Sequence, residues 1–166
     1  AAFPGLGGDV PAEMIREFLD IYEQELGQHA QLFAGVAELL DAIEAVGSRW
    51  GIVTNKPEYL ARKILPALGW ASRSAILIGG DTLAQRKPHP LPLLHAAQVL
   101  GVAIGDCVYV GDDQRDIDAA RAAGMRSVVA LWGYRPEGDD PATWGGSVLA
   151  ASAPDLLTPA LWDALR

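Results

Sequence analysis

Hydrophobic positions along the chain change period once, and the change divides it. Near the start, Met14, Phe18, Ile21 and Tyr22 recur at helical spacing behind Asp9, a capping type, and Pro11, which suits a first turn. A helix is predicted there, ending near Gly27. The stretch "QHAQLFAG" has no period and reads as a connection. A second amphipathic helix follows, marked by Val36, Leu39, Leu40, Ile43 and Val46 and closed by Gly47. Beyond Arg49, short β-rich runs alternate with helical segments, the pattern of a parallel sheet wrapped by helices. "RWGIVT", "AILIG", "CVYVG" and "RSVVAL" are the four predicted strands. Between them lie a helix opened by Pro57 and shortened by Pro66, a helix on "LPLLHAAQVLG", and a helix from about Gln114 to Ala123 stopped by Gly124. "WGYRPEGDDPATWGG" reads as a loop, before a last helix near Pro154 to Leu165.

Composition narrows the class. The 166 residues, 50% hydrophobic, suffice for one substantial core, so one main domain is expected. Cys107 is the single cysteine, which excludes an internal disulfide and suits a reducing compartment. No run of 18 apolar residues and no secretory signal pattern is present, so a cytoplasmic protein without a membrane partner is expected. A net charge of -8 argues against nucleic acid and acidic membranes as partners, because the overall field repels phosphate polyanions. A small phosphate ester remains compatible, since a metal ion and one lysine can reverse the potential inside a cleft. Oligomeric state is not readable.

Candidate chemistry lies at strand ends, where open parallel sheets bind ligands. Thr54 and Asn55 follow "WGIV", Lys87 sits in "RKPHP" after the second strand, and Asp112 follows "VYVG". Each has an ordinary alternative: Thr54 and Asn55 as caps of the helix that Pro57 opens, Lys87 as a solvated loop lysine, Asp113 and Asp116 as partners of a helix's positive end. Asp112, Asp113, Asp116 and Asp118 crowd within seven positions, which demands neutralisation by water, a cation or basic groups. Asp112, pinned after a glycine between strand and helix, suits a hard cation such as Mg2+. Asp116, one turn on, could accept from Lys87 or a metal-bound water, and Asp118 is expected to face solvent. His89 and His95 form no metal pair, and the tryptophans read as core or interface residues.

Together "IVTN", "RKPHP" and "YVGDDQRDIDAARAAGM" resemble the second, third and fourth motifs of the haloacid-dehalogenase-like phosphatases, nearest the phosphoglycolate-phosphatase-like branch. The resemblance implies a Rossmann-like parallel sheet flanked by helices over residues 33–166, with residues 1–32 as the remnant of a helical cap and its hinge. It implies that Thr54 and the Asn55 N–H bind phosphoryl oxygens, that Lys87 offsets charge, that Asp112 holds Mg2+ and that Asp116 supports Lys87. The first family motif, Asp-x-Asp-Gly-Thr, which carries the nucleophile, is missing from the sequence. The expectation is therefore a C-terminal part of a longer phosphatase, inactive alone, whose sheet lacks its central strand and shows two free edges. The implied substrate is a small phosphorylated metabolite: phosphoglycolate, or alternatively a phosphosugar such as N-acetylmuramic acid 6-phosphate. A non-catalytic phosphate-binding regulatory domain is the alternative from another class.

Overall fold

The computed structural model describes residues 13–14, 30–134 and 138–164. Of the first predicted helix, Glu13 and Met14 are helical; Phe18, Ile21 and Tyr22, the residues before Glu13 and most of the expected cap remnant lie outside the described residues.

Helix α1, Val36–Ala45, follows Gly35, whose φ of 80° is the left-handed entry that a side chain would resist. Strand β1, Ile52–Val53, leads into helix α2, Glu58–Ile64, and then strand β2, Leu77–Ile78. Helix α3, Leu91–Leu100, precedes strand β3, Val108–Gly111, helix α4, Gln114–Ala123, and strand β4, Arg126–Ala130. Strand β5, Val148–Ala150, and helix α5, Pro159–Ala164, complete the order. Every ladder is parallel, in two groups: β1 with β2, and β3–β4–β5. Among the described residues no ladder joins β1 to β3, and side chains span the interval between them instead.

Alternation along β4 sorts the core onto two faces. Val128 points toward α1, where Leu39, Ala150, Ala153, Leu156 and Leu161 gather. Val129 points the other way, to Ile117 of α4 and the buried Trp144. On that side Leu93 of α3 meets Ala119 and Ala120, with Val53 and Tyr109 beneath. Small alanines on α4 let α3 approach closely.

Several expectations change. The region after β4 is more than a loop: it holds a 3-10 turn at Pro141–Trp144 and the strand β5, whose burial comes from its ladder with β4. The last helix is split, a 3-10 turn at Ala153–Leu157 preceding α5, because Thr158 takes an extended backbone between them. Thr54 and Asn55 do not cap α2. Pro57 occupies the N-cap position, and Asp81, from the loop after β2, accepts from the Glu58 N–H at 2.7 Å. Asp118 is half-buried and paired with Arg121 rather than facing solvent freely.

Candidate functional site

Helix α4 sets the geometry of the acidic cluster. Asp113 is its N-cap, accepting from the Arg115 N–H at 2.8 Å, while the Asp113 N–H donates to Asp116 Oδ2 at 3.3 Å. This reciprocal box fixes Asp116 at the third helical position, pointing back toward the end of β3. There Asp116 Oδ1 meets the Lys87 ammonium at 2.6 Å. Both residues are buried, at 7% exposure each, so the solvated-lysine alternative fails. The close approach needs Gly111, since a Cβ there would lie 2.4 Å from the Asp116 Cβ.

The ammonium has two further acceptors, the Val53 carbonyl and the Tyr109 hydroxyl oxygen, each at 2.8 Å. Its three N–H groups are thus all engaged. Tyr109 in turn donates to the Val53 carbonyl at 2.8 Å, so one carbonyl receives two donors. Burial, followed by the negative charges of Asp116 and Asp112, holds the phenol well above its ordinary pKa and keeps it a neutral donor.

Val53 immediately precedes Thr54, so this knot ties Lys87 to the β1 end. A second tie runs from the Asn55 side-chain N–H to the Lys87 carbonyl at 2.8 Å. Asn55 Oδ1 is left buried with no partner. Thr54 Oγ accepts from the Lys56 N–H at 3.1 Å, which shapes the loop, and the Thr54 N–H donates to the Ile78 carbonyl at 2.9 Å. Asn55, Lys87 and Asp116, predicted together with Thr54 from three separate stretches, are therefore linked by hydrogen bonds centred on Lys87, and Thr54 adjoins them through Val53.

Asp112 stands beside this knot with different partners. Its Oδ2 accepts from the Tyr134 N–H at 2.8 Å. The loop after β4 wraps it so tightly that a Cβ on Gly133 would sit 2.1 Å from the Asp112 Cβ. The repulsion noted in the sequence is resolved unevenly. Asp113 is clamped by Arg115, whose guanidinium holds its carboxyl below the usual carboxylate range. Asp116 has Lys87 and Asp118 has Arg121. Asp112 has a backbone N–H and no side-chain cation among the described residues, which leaves it the carboxylate most in need of one. Its hard oxygens fit Mg2+, which takes one or two carboxylates and fills the remaining positions with water and phosphate. Among the described residues no group of three or more His, Cys, Asp or Glu is arranged around a metal.

Sequence reasoning missed three contributors: Tyr109, Gly133 and the Tyr134 N–H. A signal for Tyr109 existed, because a tyrosine inside a buried strand needs a partner for its hydroxyl. Nothing local marks Gly133, whose role depends on a neighbour 21 positions earlier.

A parallel α/β layer with a buried ion pair and a cation-seeking carboxylate beside its strand ends is the architecture of proteins that bind ligands in the crevice above such a sheet. A model of the haloacid dehalogenase-like hydrolases matches residues 6–130, and the chain belongs to that family. Its relatives put it in the phosphoglycolate-phosphatase-like branch. Over 161 residues it is 60% identical to a phosphoglycolate phosphatase of Xanthomonas campestris pv. campestris, covering 97% of this chain and 73% of that protein. It is 41% identical over 159 residues to an N-acetylmuramic acid 6-phosphate phosphatase of Pseudomonas aeruginosa, covering 95% and 70%. The crystal structure of a predicted phosphoglycolate phosphatase from Haemophilus somnus 129PT aligns with a TM-score of 0.80 at 32% identity, over 86% of this chain and 63% of that one.

Proposed function

We propose that this chain carries the phosphoryl-binding core of a Mg2+-dependent phosphomonoester hydrolase that works through an aspartyl-phosphate, with phosphoglycolate as substrate. The observation that carries the reading is the buried Lys87–Asp116 pair, at 2.6 Å, tied through the Val53 carbonyl to the Thr54 loop. A buried ammonium held at a strand end supplies the positive charge that a phosphoryl anion requires in a chain of net charge -8.

Thr54 and the Asn55 N–H hydrogen-bond non-bridging oxygens, and Lys87 offsets charge on the phosphoryl group and on the attacking carboxylate. Asp116 keeps that ammonium in register. Asp112 would hold Mg2+, which when bound would supply positive charge to offset that of the phosphoryl oxygens. The attacking carboxylate belongs to the first family motif, which no segment of this sequence supplies, so the 166 residues produced alone are expected to bind phosphate without turnover. The 60% identity to the Xanthomonas enzyme favours it over a phosphosugar, for which the relative is 41% identical.

The test is phosphate release by the intact native protein from phosphoglycolate and from N-acetylmuramic acid 6-phosphate, with and without Mg2+. Higher kcat/KM on phosphoglycolate, lost on chelation and in Asp112→Ala, supports the proposal. Preference for the sugar phosphate moves the substrate. Phosphate binding without turnover of either makes the protein a regulatory binder.

A further inference from the structure

Residues 79–82, between β2 and Lys87, have no assigned part in that chemistry, yet they grip the Thr54 loop from the side of β1 that is already paired. The Thr54 N–H donates to the Ile78 carbonyl at 2.9 Å, which prolongs the β1–β2 pairing past the strand. Two residues on, the Lys56 carbonyl accepts from the Gly80 N–H at 2.8 Å. Between these bonds the Asn55 carbonyl packs so closely on Gly80 that a Cβ there would collide with its oxygen. The Thr54–Asn55 peptide, which carries the Asn55 N–H, is therefore bracketed by fixed groups on both sides.

Gly80 is held in turn by its neighbours. Asp81 Oδ1 accepts from the Glu58 N–H at 2.7 Å, and the Thr82 hydroxyl accepts from the Gly79 N–H at 2.7 Å while donating to Glu58 Oε2 at 2.5 Å. Gly79 lies against the Glu58 backbone, where a Cβ would again collide. We infer that Asp81 is a positioning residue for the Asn55 N–H: by tying Gly80 to the first residue of α2, it sets the direction from which that N–H meets a phosphoryl oxygen. No covalent step is involved. These contacts lie between β1 and β2, away from the interval between β1 and β3. The inference rests on the phosphoryl-binding reading above and extends it to a side chain with no place at the phosphate or the metal.

The experiment uses the intact native protein and reads inorganic phosphate affinity by 31P NMR titration, kcat and KM on phosphoglycolate, thermal unfolding, and the 15N–1H signal of the Asn55 amide. In Asp81→Ala, phosphate affinity should fall roughly five- to tenfold, the factor of one lost capping acceptor, and the Asn55 signal of the phosphate-free protein should move. Asp81→Asn keeps an oxygen for the Glu58 N–H and should restore affinity to within about twofold of wild type. Arg73→Ala serves as the structural control, because it removes hydrogen bonds to Asp41 and Glu44 at the opposite end of the same two strands. It should lower Tm and leave phosphate affinity within about twofold. Unchanged affinity in Asp81→Ala, an equal loss in Arg73→Ala or in Asp81→Asn, or an Asn55 signal that stays in place overturns the inference. Affinities that follow this series without turnover of phosphoglycolate sink the hydrolase reading alone and uphold Asp81. Failure of the wild type to bind phosphate sinks both.

Discussion

Removing one member of the Lys87–Asp116 pair is the most direct perturbation of this site, and its magnitude can be worked from the contacts. The two side chains are 8% and 10% exposed, so solvent screening relieves little of the imbalance. Breaking a buried pair from one side typically costs 3–5 kcal/mol, because the remaining charge stays desolvated. In Asp116→Ala the ammonium keeps two neutral acceptors at 2.8 Å, which places the cost near the low end, about 3 kcal/mol. The lost back-bond of the capping box, long at 3.3 Å, adds about 0.5 kcal/mol. For a chain of this size, about 3 kcal/mol corresponds to a fall in Tm of about 6–12 °C. Lys87→Met should fall similarly, since Asp116 then retains one N–H donor. Lys87→Met/Asp116→Ala removes both charges and should be much less destabilised than the sum, with a coupling of about 2–3 kcal/mol. Urea and thermal unfolding of the four proteins give the cycle. Single-variant losses below about 1 kcal/mol, or simple additivity, would refute the claim that the pair is buried and mutually dependent.

Asp113 gives a pH test. Its carboxyl, held down chiefly by the Arg115 hydrogen bonds, has a lower pKa folded than unfolded, so its stabilisation is present at neutral pH and is lost as pH falls below about 4. Asp113→Asn should narrow the drop in Tm between pH 6 and pH 3, and an unchanged drop contradicts the assignment. Gly133→Ala drives a methyl into Asp112, so it should raise the Mg2+ concentration for half-maximal turnover by about tenfold while phosphate affinity without metal holds. An unchanged metal requirement would show that Asp112 is not the ligand. Thr54→Val keeps shape but loses the hydroxyl; it should weaken phosphate binding by about tenfold with a Tm change of only a few degrees, measured by titration and calorimetry.

Helix α4 was legible to the residue because its signals are local: Asp113 and Asp116 form the box at one end, Gly124 with φ 70° closes the other, and Ile117, Ala119 and Ala120 carry the buried face between. The same holds for α3, opened by Pro90 and ended at Gly101. What escaped is what the chain decides at a distance. The capping of α2 looked like a task for Thr54 or Asn55, two or three positions before Pro57, but Asp81 arrives from beyond β2 to perform it. Strand β5 is three residues long and acquires its burial from β4, which no window of sequence around Val148 reveals.

Lys87 shows most sharply where local reading stops. Between Arg86 and Pro88 it has the surroundings of a surface lysine, and its burial follows from three acceptors supplied by β1, β3 and α4. The motif order could place it near a strand end, yet order says nothing of how many of its protons are already in use.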